Sequence, residues 1–450
     1  MRSDTEETTA RLSETIGPDV AGTYHGPLIA GAEPPVEATP RSVDECALVI
    51  ARAAALGAAI VPSGGGSKLS IGNPPRRVDL LLRTNALDRI VEYDPENLVI
   101  TLEAGTTIDN VQSRVLHDGL HLPVDPPMPW RTTIGGMLAC NVHGPKRLSH
   151  GSLRDLLLGA KVALVDGSIV RFGGRTVKNV SGYDIAKLFV GSLGTLGVIV
   201  EATFRLRPIS VEEHIALVSL ADVEEASRFF DVVSHSVLLP SALELLSPQF
   251  SELVLGQENV DRANTRGYLF MIGLEGHPKA VARQVGVVAD IHTEISACRV
   301  APVDDYCGEP CPGPAWRRIA GAPEVMLMAG YRVSARVSAP RSRILSIAQQ
   351  AERHSASSSV IAAYRVSCGT GTAEFWFNGE AGAVTQVLHS LRSSAERDGG
   401  ALVLTEGWSD ISEGFDGWGQ ERAEHRLMQA IKDKFDPRHL LNPGRFVGGV

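Results

Sequence analysis

At 450 residues, 44% hydrophobic and 21% charged, the chain is long enough for two or three domains of ordinary globular composition and for a full buried core. Its formal net charge of -9 argues against nucleic acid as a partner, because phosphate binding needs a dominant basic surface. No apolar run approaches the roughly 20 residues of a spanning helix, and the start MRSDTEETTARLSE lacks the apolar centre of a secretory signal. A cytoplasmic protein with no transmembrane segment is therefore expected, with a peripheral position at the inner face of the membrane left open. Six cysteines (46, 140, 298, 307, 311 and 368) are too few and too scattered for a disulfide scaffold. Cys307 and Cys311 form a C-x3-C pair with no second pair or nearby histidine to complete a tetrahedral site, so no metal is expected.

Residues 1–35 read as a loosely held lead-in. Order begins at Arg41: Ser42 followed three residues later by Glu45 is a capping box, and Cys46, Ile50 and Ala53 give the buried stripe of a helix over 43–56, stopped by Gly57. A short strand over 59–61 delivers the chain into Pro62-Ser63-Gly64-Gly65-Gly66-Ser67-Lys68. Further strands are expected at 98–103, 162–165 and 168–172, with a helix stripe at Ile108, Val111 and Val115 between them. From Val198 the chain alternates, with Val198, Val200, Ala202, Phe204 and Leu206 on one face and Glu201, Thr203, Arg205 and Arg207 on the other, the period of a half-buried strand.

After Pro208 the pattern changes. Strand (214–220), helix (222–233), strands (242–246 and 267–274), helix (278–290) and strand (292–299) make one β-α-β-β-α-β run. A Pro-rich link from Pro302 to Pro314 leads to a second: strand (325–337), helix (342–354), strands (359–368 and 372–378), helix (382–397) and strand (401–405). Antiparallel strands backed by helices on one face follow from that order. An amphipathic stripe at Ala423, Leu427, Ile431 and Phe435 then precedes Asp436-Pro-Arg-His-Leu-Leu-Asn442-Pro-Gly-Arg445.

Two glycine-rich places carry the chemistry. Gly64-Gly65-Gly66-Ser67-Lys68 follows a strand, so successive backbone N–H groups can converge on an anion such as pyrophosphate; a plain glycine-rich turn is an equal reading of these residues alone. The spacing matches neither a Walker loop nor a Rossmann fingerprint. Gly191, Gly194 and Gly197, just before the alternating strand, fit a bare cofactor edge or a tight structural bend.

The segment KNVSGYDIAKLFVGSLGTLGVIVEATFRLRP (178–208) resembles the signature of the vanillyl-alcohol-oxidase-type (PCMH-type) FAD proteins, in the branch of D-lactate dehydrogenases and glycolate oxidase subunits. The resemblance implies an α+β fold: a two-subdomain FAD-binding domain over 36–210, an antiparallel-sheet cap of ferredoxin-like units over 211–419, and a helix and tail over 420–450 returning to the FAD domain. It makes Pro62 and Gly64 to Lys68 the pyrophosphate loop. It makes Asp125 to Gly144 the second FAD segment, through Asp125, Thr132, Thr133, Gly135, Gly136, Asn141 and Gly144, and it sets Gly197, Val198 and Ile199 along the flavin. Arg154-Asp155 is open between an ion pair and a ligand contact. FAD is expected to be bound without a covalent tether, since the first loop lacks the histidine of bicovalent relatives and His143 reads as a hydrogen-bonding residue.

A flavin needs from its protein substrate orientation, a base and an electron outlet. A 2-hydroxy acid substrate adds a carboxylate that suits an arginine fork, for which Arg332 and Arg336 on the expected strand are candidates. Tyr183, Lys178 and Tyr364 are further catalytic candidates, with packing as the default. The chain departs from the self-sufficient members it resembles, which carry H-x-G-D-G-N-x-H and a Glu-His pair for a divalent metal. Here Ser367 to Trp376 holds no histidine, Glu424-His425 lacks the following glycine, and Leu193 replaces a glutamate within the glycine ladder. The resemblance thus implies an FAD-binding subunit of a glycolate-oxidase-like complex, with a catalytic flavoprotein and an iron–sulfur subunit as partners. A self-sufficient dehydrogenase of a hydroxy acid or other alcohol is the alternative, and a non-catalytic member of the family is the third reading.

Overall fold

In the computed structural model, which describes residues 2–26, 29, 34–174, 185–256, 267–295, 300–303 and 314–450, strands β1 (Ala21–Thr23) and β2 (Val36–Ala38) precede the helix Val43–Ala55. Ser42 caps that helix by accepting from the Glu45 N–H at 3.1 Å, and the Glu45 carboxylate takes the Arg41 N–H at 2.6 Å. The helix buries Cys46, Val49, Ile50 and Ala53 and feeds β3 (Ile60–Ser63), which lies parallel to β4 (Leu80–Arg83). These strands form a four-stranded sheet in the order β1-β2-β4-β3.

A second sheet follows from β5 (Ile90–Asp94), β6 (Val99–Glu103), β8 (Leu157–Ala163), β9 (Ile169–Gly173) and β10 (Val198–Arg205), antiparallel in the order β5-β6-β10-β8-β9. β7 (Leu120–His121) pairs separately with β11 (Arg207–Pro208). Together with Asp416–Val450 these elements make one compact unit, Met1–Val142 and Ser152–Pro208.

β10 corrects the sequence expectation of one buried and one polar face. Every residue from Val198 to Phe204 is buried. Against β8 the register slips between Ile199, opposite Val162, and Glu201, opposite Lys161, so Val200 is a bulge that reverses the side-chain parity. Val198 and Val200 therefore pack with Ile50, Ile60 and Leu80. Ala202, Phe204 and Leu206, expected on that same face, instead join Ile108, Val111 and Phe189 in a second core. The polar residues are satisfied in place: Thr203 and Thr101 share a hydroxyl hydrogen bond at 3.0 Å, and Lys161 donates to Glu201 at 2.8 Å.

The second unit, His143–Gly151 with Ile209–Phe415, is built on one antiparallel sheet. Its strands are β12 (Glu212–Leu220), β13 (Ala242–Leu246), β14 (Tyr268–Gly276), β15 (Val300–Val303), β16 (Val333–Ser338), β17 (Ile361–Ser367), β18 (Thr372–Asn378) and β19 (Ala401–Glu406). The order β15-β12-β14-β13-β17-β18-β16-β19 is two ferredoxin-like halves, each with its first strand between the third and the fourth. They meet where β13 pairs with β17, Glu244 opposite Ser367. Helices Val223–His235, Pro278–Ile295, Arg341–Ser357 and Ala381–Arg397 bury their apolar stripes on one face of this sheet. The short segment 143–151 is tied in by Lys146, which meets Glu213 at 2.7 Å, and by His150, which meets Glu275 at 3.0 Å.

Two predicted strands are wrong. Residues up to Ile295 continue the helix from Pro278, and the fourth strand of the first half is Val300–Val303. The expected strand over 325–337 is the end of a helix, Pro314–Met328, followed by β16. Trp316, Ile319, Ala322 and Met326 supply its buried stripe at helical spacing, but Pro323 inside it reads in sequence as a breaker.

The C-terminal helix runs His425–Phe435, after Ala423, and leaves Leu427 65% exposed, so the apolar stripe expected there is only partly used. It fully buries Lys432 instead. The Lys432 ammonium donates to the Thr195 carbonyl at 2.7 Å, to the Leu441 carbonyl at 2.9 Å and to Asp436 at 2.6 Å, and Asp436 also accepts the Leu441 N–H at 2.7 Å. Burial pulls the Lys432 pKa below its usual value while Asp436 opposes the shift. Replacing Lys432 by Met should strand the Asp436 carboxylate in the interior and cost about 3–5 kcal/mol of stability, measured by urea unfolding. A loss below about 1 kcal/mol would show that the pair is not what anchors the tail.

Candidate functional site

The end of β3, the loop after it and the start of β10 converge on one cleft in the first unit. Its wall includes Pro62 and Gly64, Gly65, Gly66, Ser67 and Lys68 from the loop, with Thr132, Thr133, Gly135, Gly136 and Cys140 from the second glycine segment. Gly197, Val198 and Ile199 complete it from the β10 side, together with Leu193 and Gly194. Asp125, Asn141 and Gly144 do not line it. Asn141 ends the helix Ile134–Cys140 in a left-handed conformation, φ 49°, and Gly144 lies in the segment that belongs to the second unit. Of the Arg154-Asp155 pair, Asp155 accepts the Ser152 N–H at 2.9 Å and Arg154 donates to the Val190 carbonyl at 3.2 Å.

The loop's bareness has a packing cause. A Cβ on Gly65 would collide with the Arg131 carbonyl oxygen, and one on Gly64 with the Thr133 hydroxyl, so the loop lies directly against residues 131–133. Gly136 differs: a Cβ there would meet only the Thr133 hydroxyl, at 3.1 Å. With the Cβ directions turned into protein, the N–H groups are what the loop has left to offer. Among the described residues, the backbone N–H groups of Gly65, Gly66, Ser67 and Lys68 enter no backbone hydrogen bond. Consecutive unengaged amides at a cleft make a concave anion site.

Two further wall residues were not among the sequence candidates. Asn442 and Arg445, each 2% exposed, reach the cleft from the tail. Asn442, at φ 48°, donates from its side chain to the Leu193 carbonyl, and its N–H donates to the Ile60 carbonyl at 2.8 Å. Arg445 donates to the carbonyls of Leu69 at 2.6 Å and Ile71 at 3.0 Å. Asn442 Oδ1 and Arg445 Nε remain without a hydrogen-bond partner in the protein. The signal available in sequence was a polar Asn-Pro-Gly-Arg run directly after Leu440-Leu441. A cleft with free amides at one wall and an unmatched acceptor and donor at another suits a dinucleotide, which brings both an anion and a hydrogen-bonding ring.

The catalytic candidates fare differently. Arg332 precedes β16 rather than alternating along it; its side chain is 72% exposed and 3.9 Å from Asp410. Arg336 lies half-buried on β16, in register with Glu374. Glu374 is engaged by Arg365 at 2.6 Å, and Arg365 also faces the fully buried Glu244 at 3.6 Å. Tyr364 sits in the core of the second unit with its hydroxyl 3.3 Å from that of Tyr268, where burial holds its pKa well above the usual value. Tyr183 and Lys178 lie outside the described residues, as do Cys298, Cys307 and Cys311. Among the described residues no group of His, Cys, Asp and Glu has the arrangement of a metal site, and no helix is long and apolar enough to cross a membrane.

Paired sheets with a glycine-walled cleft, followed in the chain by a doubled antiparallel sheet, fit the PCMH-type architecture, and comparison with known proteins makes this specific. Residues 34–173 match the FAD binding domain family, and residues 210–373 and 419–446 match the FAD linked oxidases, C-terminal domain family. The chain belongs to the FAD-linked oxidases and its cofactor is FAD. Among relatives, it is 26% identical to the glycolate oxidase subunit GlcD of Bacillus subtilis over 90% of this chain and 87% of that one. It is 40% identical to the glycolate oxidase subunit GlcE of Escherichia coli over 33% of this chain and 42% of that one. The 4-ethylphenol oxidase of Gulosibacter chungangensis superposes with a TM-score of 0.74 at 14% identity, over 99% of this chain and 97% of that one, and so shares the fold.

Gly65→Ala should force the loop off residues 131–133 and lower stability by about 1–3 kcal/mol, read by thermal or urea unfolding of the flavin-free protein. An unchanged midpoint would show that the loop does not pack there.

Proposed function

We propose that this chain is the FAD-binding subunit of a 2-hydroxy acid dehydrogenase complex of the glycolate oxidase type, holding FAD without a covalent bond and passing electrons to an iron–sulfur partner. The observation that carries this reading is the likeness along nine-tenths of the chain to a glycolate oxidase subunit, coupled to a cleft whose free amides and unmatched polar atoms fit FAD. The N–H groups of Gly65 to Lys68 take the pyrophosphate, and Gly197, Val198 and Ile199 lie along the ring. His143 is not in the cleft wall, which supports non-covalent binding. When bound, the flavin accepts a hydride and can release electrons singly.

Substrate orientation falls in this reading to Arg336, since Arg332 is given to solvent and Arg365 is already held between Glu244 and Glu374. A guanidinium there can fork a substrate carboxylate. Arg336→Met should raise the KM for the hydroxy acid by about 10-fold or more while FAD content stays at the wild-type level. Unchanged KM would remove Arg336 from the site.

The cofactor reading is tested at Gly136, which lines the cleft within a helix and where a Cβ would crowd only the Thr133 hydroxyl, at 3.1 Å. Gly136→Asp sets a carboxylate where an anion is to bind and should cut FAD affinity at least about tenfold, with the flavin-free melting temperature nearly unchanged. Wild-type FAD content in that variant would refute the assignment of the cleft. The subunit reading is tested by anaerobic mixing with glycolate, D-lactate and related acids. Bleaching of the flavin is expected when the chain is co-expressed with its partners, and full turnover by the purified chain alone would establish a self-sufficient enzyme.

A further inference from the structure

We propose that the C-terminal tail is part of the flavin site itself: Asn442 Oδ1 and Arg445 Nε–H take the donor and acceptor edge of the flavin ring, and the Arg445 guanidinium makes the bound ring easier to reduce. The inference rests on the reading of the cleft as the FAD site and adds to it a source of redox tuning.

The starting point is an imbalance. Arg445 is 2% exposed, and no carboxylate among the described residues pairs with it. Its only charge-related neighbour is the Cys140 thiol, also in the cleft wall; burial pushes the guanidinium down to about 10 while Cys140 opposes the shift. A buried charge without an opposite partner is costly. Among the described residues the other buried cations have partners: Lys432 has Asp436, Lys146 has Glu213, Arg365 has Glu244 and Glu374, and Arg392 lies over the Phe415 ring at 4.2 Å. Arg445 stands apart, and it stands at the cleft.

The side chains are also held in place before any ligand arrives. Arg445 is fixed to Leu69 and Ile71, the exit of the glycine loop, and Asn442 is fixed to Leu193. The parallel bridge between Ile60 and Leu441 places the tail along β3, and Lys432 ties Leu441 to Thr195. What these contacts leave over is one acceptor and one donor, Asn442 Oδ1 and Arg445 Nε, both buried and unmatched. Two unmatched polar atoms in the wall of one cleft are available to a ligand.

The chemistry selects among the parts of the dinucleotide. Phosphate oxygens only accept, so the pyrophosphate cannot satisfy Asn442 Oδ1. The pyrimidine edge of the flavin carries an N–H between two carbonyls and can satisfy both atoms. The adenine edge also offers a donor and an acceptor but stays neutral throughout the reaction. The flavin ring gains negative charge when it takes up electrons, so a fixed guanidinium beside it favours the reduced form.

The test uses the full chain with FAD. Arg445→Met should weaken FAD binding and do so about tenfold more for the reduced than for the oxidised cofactor, which lowers the two-electron midpoint potential by about 30 mV. The flavin-free form should melt no lower than wild type, because an unmatched buried charge is removed. Arg445→Lys, which keeps the charge, should hold the potential close to wild type, and it serves as the comparison should the methionine variant not fold. Asn442→Gly, compatible with the positive φ at that position, should lose about tenfold in FAD affinity. Arg445→Met with weakened binding but an unshifted potential would assign the pair to the adenine end and overturn the inference. Wild-type binding and potential in both Arg445→Met and Asn442→Gly would also overturn it. Failure of the wild-type chain to bind FAD is a separate result that refutes the cofactor reading first.

Discussion

The first unit depends on one strand serving two cores. β10 is central in its sheet, and the bulge at Val200 sends Val198 and Val200 into the core shared with β3 and β4, and Ala202 and Phe204 into the core shared with the helix Ile108–Leu116. A regular strand could put these residues on one side only. Because the strand enters both cores, its first residues are held rigidly, and they are the ones that border the cleft. The position of Gly197, Val198 and Ile199 is thus a consequence of packing on both faces of β10.

The opposite wall is set by backbone contact. The loop after β3 presses on residues 131–133 so closely that side chains at Gly64 and Gly65 are excluded, and its amides are left for a ligand. The tail closes the arrangement through a fully buried ion pair, Lys432 with Asp436, whose ammonium also binds carbonyls from the β10 approach and from the tail. Desolvating such a pair is expensive, and its hydrogen bonds offset that cost only in this geometry. Positive φ values at Leu193 and Asn442, neither of them glycine, lie at the same cleft. Local strain of this kind persists where surrounding contacts over-determine the backbone.

The second unit shows a different economy. Two βαββαβ halves join edge to edge through β13 and β17, giving one continuous sheet with the two helices of each half on the same face. The other face is covered in part by Pro314–Met328 and otherwise carries the Arg365, Glu244 and Glu374 cluster and Arg336. Charged residues on a sheet face are tolerated when they pair across neighbouring strands, as Arg365 and Glu374 do in register.

Much of this was legible in the sequence because it is local. The capping box at Ser42, the strands 242–246 and 372–378, and the order of both βαββαβ runs follow from side-chain periodicity and turn residues within short windows. The glycine segments marked where bare backbone was needed, and the resemblance they carry named the cofactor. Other features required the fold. The helix Pro314–Met328 was hidden by its own Pro323, and Arg332 lost its expected strand to the boundary at Val333. The bulge in β10 leaves no trace in an alternating pattern, because its cause is a register against β8 that lies tens of residues away. Asn442 and Arg445 read as tail residues until the bridge to Ile60 sets them in the cleft wall, and Lys432 reads as a surface lysine until Thr195 and Leu441 close over it. Composition and periodicity by themselves determined a two-part α+β chain with glycine-bared turns. Which polar atoms stay unmatched at a common cleft was decided only in three dimensions, since hydrogen-bond satisfaction belongs to contacts between segments distant in the chain.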